Sequence, residues 1–208
     1  MDFYKLTVKD RVANLYIFGD IYSDTSLMAE ISELDVDEIN VYINSYGGAV
    51  SEGLAIYNAL KNHKATVNTY CQGFACSIAS VIMQAGDVRY MCSNSLLMIH
   101  NAWTLAIGNS EELRKTADDL EKINGEVLKI YVEKSGLSED EVKQMLDDED
   151  WITSDEAVAR GFADKVIKED DEIKQKVQNK LKRKEEPATP KPAEEKNEEK
   201  KILNLFNF

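Results

Sequence analysis

Basic residues are in short supply in this chain, and that shortage is the first constraint on its partners. Lys and Arg number 25 against 38 Asp and Glu, a formal net charge of −13 over 208 residues. A surface that tracks nucleic-acid phosphates needs the opposite balance, so no nucleic-acid partner is expected. Long apolar runs are missing as well. No stretch reaches the roughly 20 residues that span a bilayer, and the opening "MDFYKLTVKD" has no apolar core of a secretory signal. A soluble cytoplasmic protein without membrane contact is expected. Cysteine is scarce: Cys71, Cys76 and Cys92 stand at irregular spacing. That argues against a disulfide framework or a zinc knuckle, and leaves reduced thiols packed as small apolar groups. Histidine is scarcer still, with only His63 and His100. No metal and no other cofactor is expected.

Proline and glycine divide the chain between them. All three prolines (Pro187, Pro190, Pro192) come late, and all ten glycines precede residue 168. From Lys168 to Lys201 the sequence is mostly Lys, Glu, Asp, Gln and Pro, too polar to bury enough surface to offset its ordering entropy. Two regions are therefore expected: a folded domain over 1–167 and a charged, largely disordered tail over 168–208. The tail ends on an apolar tip, "ILNLFNF", which reads equally as a stray sticky terminus or as a short docking motif.

Within 1–167, strand and helix patterns alternate. "VANLYIFG", "INVYIN", "TVNTYC", "VRYM" and "SLLMIH" read as strands. "GGAVSEGLAIYNALKNH" carries apolar residues at helical spacing, and "SIASVIMQA" is a short buried helix. "NSEELRKTADDLEKINGEVLKIYVEKSG" is a long amphipathic helix, opened by an Asn109/Glu112 capping box and stopped at Gly136. Ser138 with Glu141 and Thr153 with Glu156 open two more. The alternation predicts a layered α/β fold with a mostly parallel sheet and flanking helices. The stripe Leu113, Ala117, Leu120, Val127 and Tyr131 on the long helix is apolar surface that a monomer leaves wet, so a homo-oligomer is expected.

The chemistry centres on "QGFACSIASVIMQAG". A strand-like run leads into it, a helix leaves it, and Ser77 sits at the junction, as either a helix cap or a nucleophile. A serine hydroxyl attacks only when a base takes its proton and donors hold the oxyanion. His63, in "LKNHKATV", closes a helix and most simply serves the helix end. His100 ends the apolar strand "SLLMIH", where functional groups gather in α/β folds, so it is the better base; a satisfied structural histidine is the alternative. "INSYGG" places Gly47 and Gly48 between strand and helix, where backbone can approach a ligand closely, although Gly-Gly is also an ordinary turn. The Ile78 N–H, at a helix start, is a second free donor.

Four stretches in this order, "INSYGGAVSEGLAIYNAL", "GFACSIASVIMQAG", "NSLLMIHNAW" and "TSDEAVARGFADKV", together resemble the proteolytic subunit of the Clp protease family over roughly residues 10–167. The resemblance implies a fold of the kind shared with crotonases, with a protruding helix–strand handle. It implies a serine endopeptidase with Ser77 as nucleophile, His100 as general base, and the Gly48 and Ile78 N–H groups as oxyanion donors. It also implies heptameric rings, stacked through the long helix around a chamber, acting on protein or peptide substrates with an AAA+ unfoldase as partner. The family acid, usually Asp, aligns on Glu149 in "DDEDWITSDEA". Four carboxylates run together there, Asp147, Asp148, Glu149 and Asp150. Because side chains alternate along an extended stretch, Trp151 is expected to anchor in the core with Glu149 facing the same way and Asp150 facing out.

Glu149, the few residues before the first expected strand, and the tail with its tip resemble the Clp-related proteases of bacteriophages. That implies processing of capsid or scaffold proteins during head maturation. Two other functions use the same fold. A crotonase-type acyl-CoA enzyme needs paired backbone donors but no Ser/His pair. A catalytically idle assembly subunit needs neither.

Overall fold

The computed structural model describes residues 3–22 and 25–168. The compact unit runs Met1–Glu169. The tail from residue 169 and its apolar tip lie outside the described residues.

The described strands form one sheet. Its main path is β1 (Tyr4–Lys9), β2 (Val12–Ile21), β3 (Glu38–Gly48), β4 (Thr66–Cys76), β5 (Val88–Cys92) and β8 (Lys165–Ile167). Two short strands branch from it: β6 (Leu96–Met98) pairs with β4, and β7 (Trp151–Thr153) with β6. All pairings are parallel except β1–β2 and β6–β7. This is the layered α/β architecture that the strand–helix alternation predicts.

Alternation along the central strands decides the two faces. Ala13, Leu15 and Ile17 on β2, with Ile39, Val41 and Ile43 on β3, point into the core under α1 (Thr25–Glu33), α2 (Val50–Lys61) and α3 (Ile78–Met83). On the opposite face Tyr16, Tyr42, Tyr70 and Tyr90 stand in register, their rings stacked 4.8–5.0 Å apart. Such cross-strand aromatic pairs are a recognised source of sheet stability.

The strand β4 is longer than "TVNTYC", and its length positions the site. Its first half pairs with β5, and its second half, Phe74–Cys76, with β6. Between them the register against β3 slips, from Ile43 opposite Cys71 to Ser45 opposite Ala75. Asn44 spans the slip by accepting the Phe74 N–H at 3.1 Å. The bulge swings the end of β4 toward β6 and delivers Cys76 to the turn at Ser77.

The helix α4 (Ser110–Ser135) carries the expected Asn109/Glu112 capping box and ends at Gly136 in the left-handed conformation, φ 74. Capping boxes also open α5 (Glu139–Asp147) and α6 (Ser154–Ala159). The expected wet stripe on α4 needs correction, because it divides. Val127 and Tyr131 are buried in the subunit's own core, whereas Leu113 and Ala117 stay exposed and Leu120 is half-buried. Before α4, residues 101–109 run outside any ladder with Trp103, Leu105 and Ile107 77%, 87% and 97% exposed. No described helix is long and apolar enough to cross a membrane.

Candidate active site

Ser77 occupies a sharp elbow between β4 and α3. Its φ of 55° and ψ of −131° lie where residues with a side chain are rarely found. Such strain persists only when the surroundings enforce it, and here they do. The Ser77 N–H donates to the Met98 carbonyl at 2.9 Å, and the Ser77 carbonyl accepts from both the N–H and the Oγ of Ser80, at 2.9 and 2.6 Å. With its backbone held on both sides, the Ser77 side chain is half-buried at the mouth of a groove. The Ser77 side chain makes no cap for α3, so the hydroxyl is left for another partner.

That partner is His100. Its Nε2 lies 2.8 Å from Ser77 Oγ, although 23 residues separate them. The imidazole arrives through β6, whose pairing with the end of β4 sets Met98 opposite Cys76. His63 is elsewhere and fully committed: its Nδ1 accepts the Ala65 N–H at 3.0 Å, which leaves Nε2 to donate to the Leu34 carbonyl at 3.2 Å. It borders a concavity of about 790 Å³ between α1 and α2, away from the serine.

The Gly47–Gly48 pair closes the other side of the groove. A Cβ on Gly47 would stand 2.7 Å from Ser77 Cβ and 3.2 Å from Ile78 N, so only glycine lets the two segments meet. Gly48 has φ 143, and a Cβ there would overlap the Ile21 carbonyl. The Gly47 N–H is taken by Ser45 Oγ at 3.0 Å and the Ala49 N–H by the Ile21 carbonyl at 2.7 Å. The N–H of Ile78, at the first position of α3, borders the space left by the missing Gly47 side chain, and Gly48 lines the groove beside Ser77.

The acidic segment is arranged differently from the expectation. Asp147 accepts from Asn101 Nδ2 at 2.7 Å, Asp148 from Gln144 Nε2 at 3.0 Å, and Asp150 pairs with Arg160 at 2.7 Å. Glu149 is exposed with φ 53, and among the described residues no carboxylate accepts a hydrogen bond from His100. Trp151 is not a core anchor: it is 47% exposed, edge-on to Phe74, and Ile152 is the buried residue of β7. Asp150, expected to face out, is half-buried against Arg160.

Sequence reasoning missed two side chains that hold the histidine strand. Asn124 on α4 accepts the Ala102 N–H at 2.7 Å, and Asn101, the residue after His100, donates from its Nδ2 to Asp147. A half-buried asparagine on the inner side of an amphipathic helix was the available signal. Burial pushes the neighbouring thiols of Cys76 and Cys71 up, to about 11 and about 12, which disfavours the reactive thiolate.

The arrangement therefore combines a strained, half-buried serine and an imidazole within hydrogen-bond reach, with the paired glycines beside them, at a groove of about 490 Å³. Such a set suits acyl transfer. Compared with known protein families, residues 4–170 match the family model described as Clp protease.

Proposed function

The chain belongs to the Clp protease family, and we propose that it hydrolyses peptide bonds with Ser77 as nucleophile and His100 as general base. The observation that carries this reading is the 2.8 Å contact between Ser77 Oγ and His100 Nε2 at a strained strand–helix elbow. His100 Nε2 takes the hydroxyl proton as Oγ attacks the scissile carbonyl, and later returns it to the leaving amine. The tetrahedral oxyanion is held by the N–H groups of Gly48 and Ile78, aimed before reaction and needing no reorganisation. Water then repeats the cycle on the acyl-enzyme.

Glu149 is the proposed orienting carboxylate. The β6–β7 register sets Met98 opposite Trp151, and its next step, Ile99 N–H to the Asp150 carbonyl at 3.2 Å, is made. One further step brings Glu149 opposite His100 on the same face, where cross-strand Cβ atoms lie about 4.5–5.5 Å apart. The positive φ at Glu149 interrupts that step.

The exposed apolar residues of 101–109 and of α4 support assembly into rings around a chamber, heptameric and stacked through α4. Unfoldase-delivered chains, or the capsid and scaffold proteins of a bacteriophage head, are the proposed substrates. Sedimentation at micromolar concentration is expected to give an oligomer; a stable monomer contradicts the assembly reading. The chemistry is tested by a fluorophosphonate probe on the full chain. Phosphonylation is expected at Ser77 alone and lost in Ser77→Ala, and labelling at another serine, or none on folded protein, overturns the assignment.

A further inference from the structure

An acyl-transfer site must house the side chain next to the carbonyl under attack. That side chain leaves from a carbon one bond away from the reacting centre, so its first atoms lie beside Ser77 wherever the rest of the peptide runs. Two concavities border Ser77 and His100. One is the open groove, whose lining runs from Asp20 and Tyr46 to Leu105. The other is its inner end, a cavity of about 20 Å³ that shares Val50, Ser77, His100 and Ala102 with the groove. The open groove suits an extended backbone, and the inner end, walled by Ser77, Ile78 and His100, is the concavity beside the nucleophile into which a first side chain can turn.

The inner cavity is apolar and shallow. Val50, Val81 and Val127 contribute to its lining, and Tyr131 enters from α4. Tyr131 is 1% exposed, with its ring edge-on to Phe162 at 5.9 Å. Its hydroxyl is fixed as well. Ser80 Oγ donates to the Ser77 carbonyl at 2.6 Å, so the Tyr131 O–H is the donor in the 2.6 Å contact with Ser80 Oγ. Burial holds the phenol well above its ordinary pKa, which keeps that proton in place. The ring is therefore pinned at one end by packing and at the other by a hydrogen-bonded chain that ends on the nucleophile's own carbonyl.

A space of this size accepts a single group of water or methyl dimensions. We propose that Tyr131 is the specificity-determining residue of this peptidase, restricting cleavage to bonds that follow small residues, alanine foremost. The inference rests on Ser77 being the nucleophile and adds which chains that serine accepts. A methylene that does not fit a hydrophobic subsite costs roughly 10–200-fold in kcat/KM, so leucine and phenylalanine in this position fall at least about 10²-fold below alanine.

The test uses the full chain and matched fluorogenic peptides that differ only in the residue before the cleaved bond, with Ala, Val, Leu or Phe there, and Ser77→Ala as the blank. The expected wild-type order is Ala, then Val, then Leu and Phe. Tyr131→Val opens the cavity and raises the Leu-to-Ala ratio by roughly tenfold or more. Val127→Ala trims a different wall, moves the ratio the same way, and serves if the first variant does not fold. Tyr131→Phe keeps the ring and the alanine preference, which separates the ring's volume from the hydroxyl's bond. Wild-type cleavage after Leu or Phe within threefold of Ala overturns the inference while leaving the nucleophile in place, as does an unchanged ratio in both opened variants. Hydrolysis that persists in Ser77→Ala removes the nucleophile reading and this inference with it.

Discussion

Ser77 and the Gly47–Gly48 turn rest on β3 and β4, central strands whose inward residues from Ile39 to Cys76 are buried between the helices and the sheet. His100 is delivered by β6, a strand of three residues, and the acidic segment by β7, another of three. Beyond His100 the chain is tied down by individual side chains, Asn124 to Ala102 and Asn101 to Asp147, and then runs exposed from Trp103 to Ile107. The serine half is thus fixed by the same burial that folds the domain. The histidine half depends on a few hydrogen bonds at the rim, and such a region opens at low free energy. Ser77, His100 and the paired glycines thus stand together within a single subunit, whereas Glu149, the proposed acid, lies on an exposed rim near the apolar residues of 103–107.

Substitutions in the two halves should fail differently. The largest effect is expected on the serine side. Gly48→Ala must push its Cβ against the Ile21 carbonyl at φ 143, which together costs about 3 kcal/mol or more. Calorimetry is expected to record a fall in Tm of roughly 6–12 °C for a domain of this size. An unchanged Tm contradicts the close approach of β2 and β3. On the acid side, Glu149→Gln is expected to leave Tm in place and to lower turnover by at least about tenfold, because a carboxylate fixes the tautomer of a base histidine. Retention of full turnover transfers the orienting role away from Glu149. The smallest effect is expected from Asp150→Asn. It breaks the ion pair with Arg160, worth about 0–1 kcal/mol where solvent reaches it, and should change Tm by a few degrees at most with turnover nearly constant. A turnover loss larger than that of Glu149→Gln reverses the two assignments.

The sequence made the serine half legible for a physical reason. A strand, small residues and a helix start leave few conformations for "FACSIAS", and two adjacent glycines before a helix announce a close approach. His100 was legible because only two histidines exist and one closes a helix. The long helix and all three capping boxes were legible because their signals are local. The rest depended on tertiary facts. β1, α1, β7 and β8 are short, and an exposed strand such as Tyr4–Lys9 has no strong alternation to read. On β7 the inward side is decided by Ile152, and a bulky aromatic such as Trp151 is a poor guide to it; the positive φ at Glu149 also ends the extended stretch on which the alternation was read. Val127 and Tyr131 belonged to an apolar stripe whose partner, the subunit's own α3 and β-sheet layer or another copy, no periodicity distinguishes.

The central claim is that His100, and not His63, takes the proton from Ser77. It is tested most directly by measuring kcat/KM for peptide hydrolysis with the two histidines replaced one at a time in the full chain. His100→Ala is expected to lower kcat/KM by about 10³-fold or more, in line with members of a catalytic unit. His63→Ala removes only contacts to Leu34 and Ala65, and is expected to stay within a few-fold of wild type per folded molecule. Comparable activity in wild type and His100→Ala, or a loss confined to His63→Ala, would contradict the account.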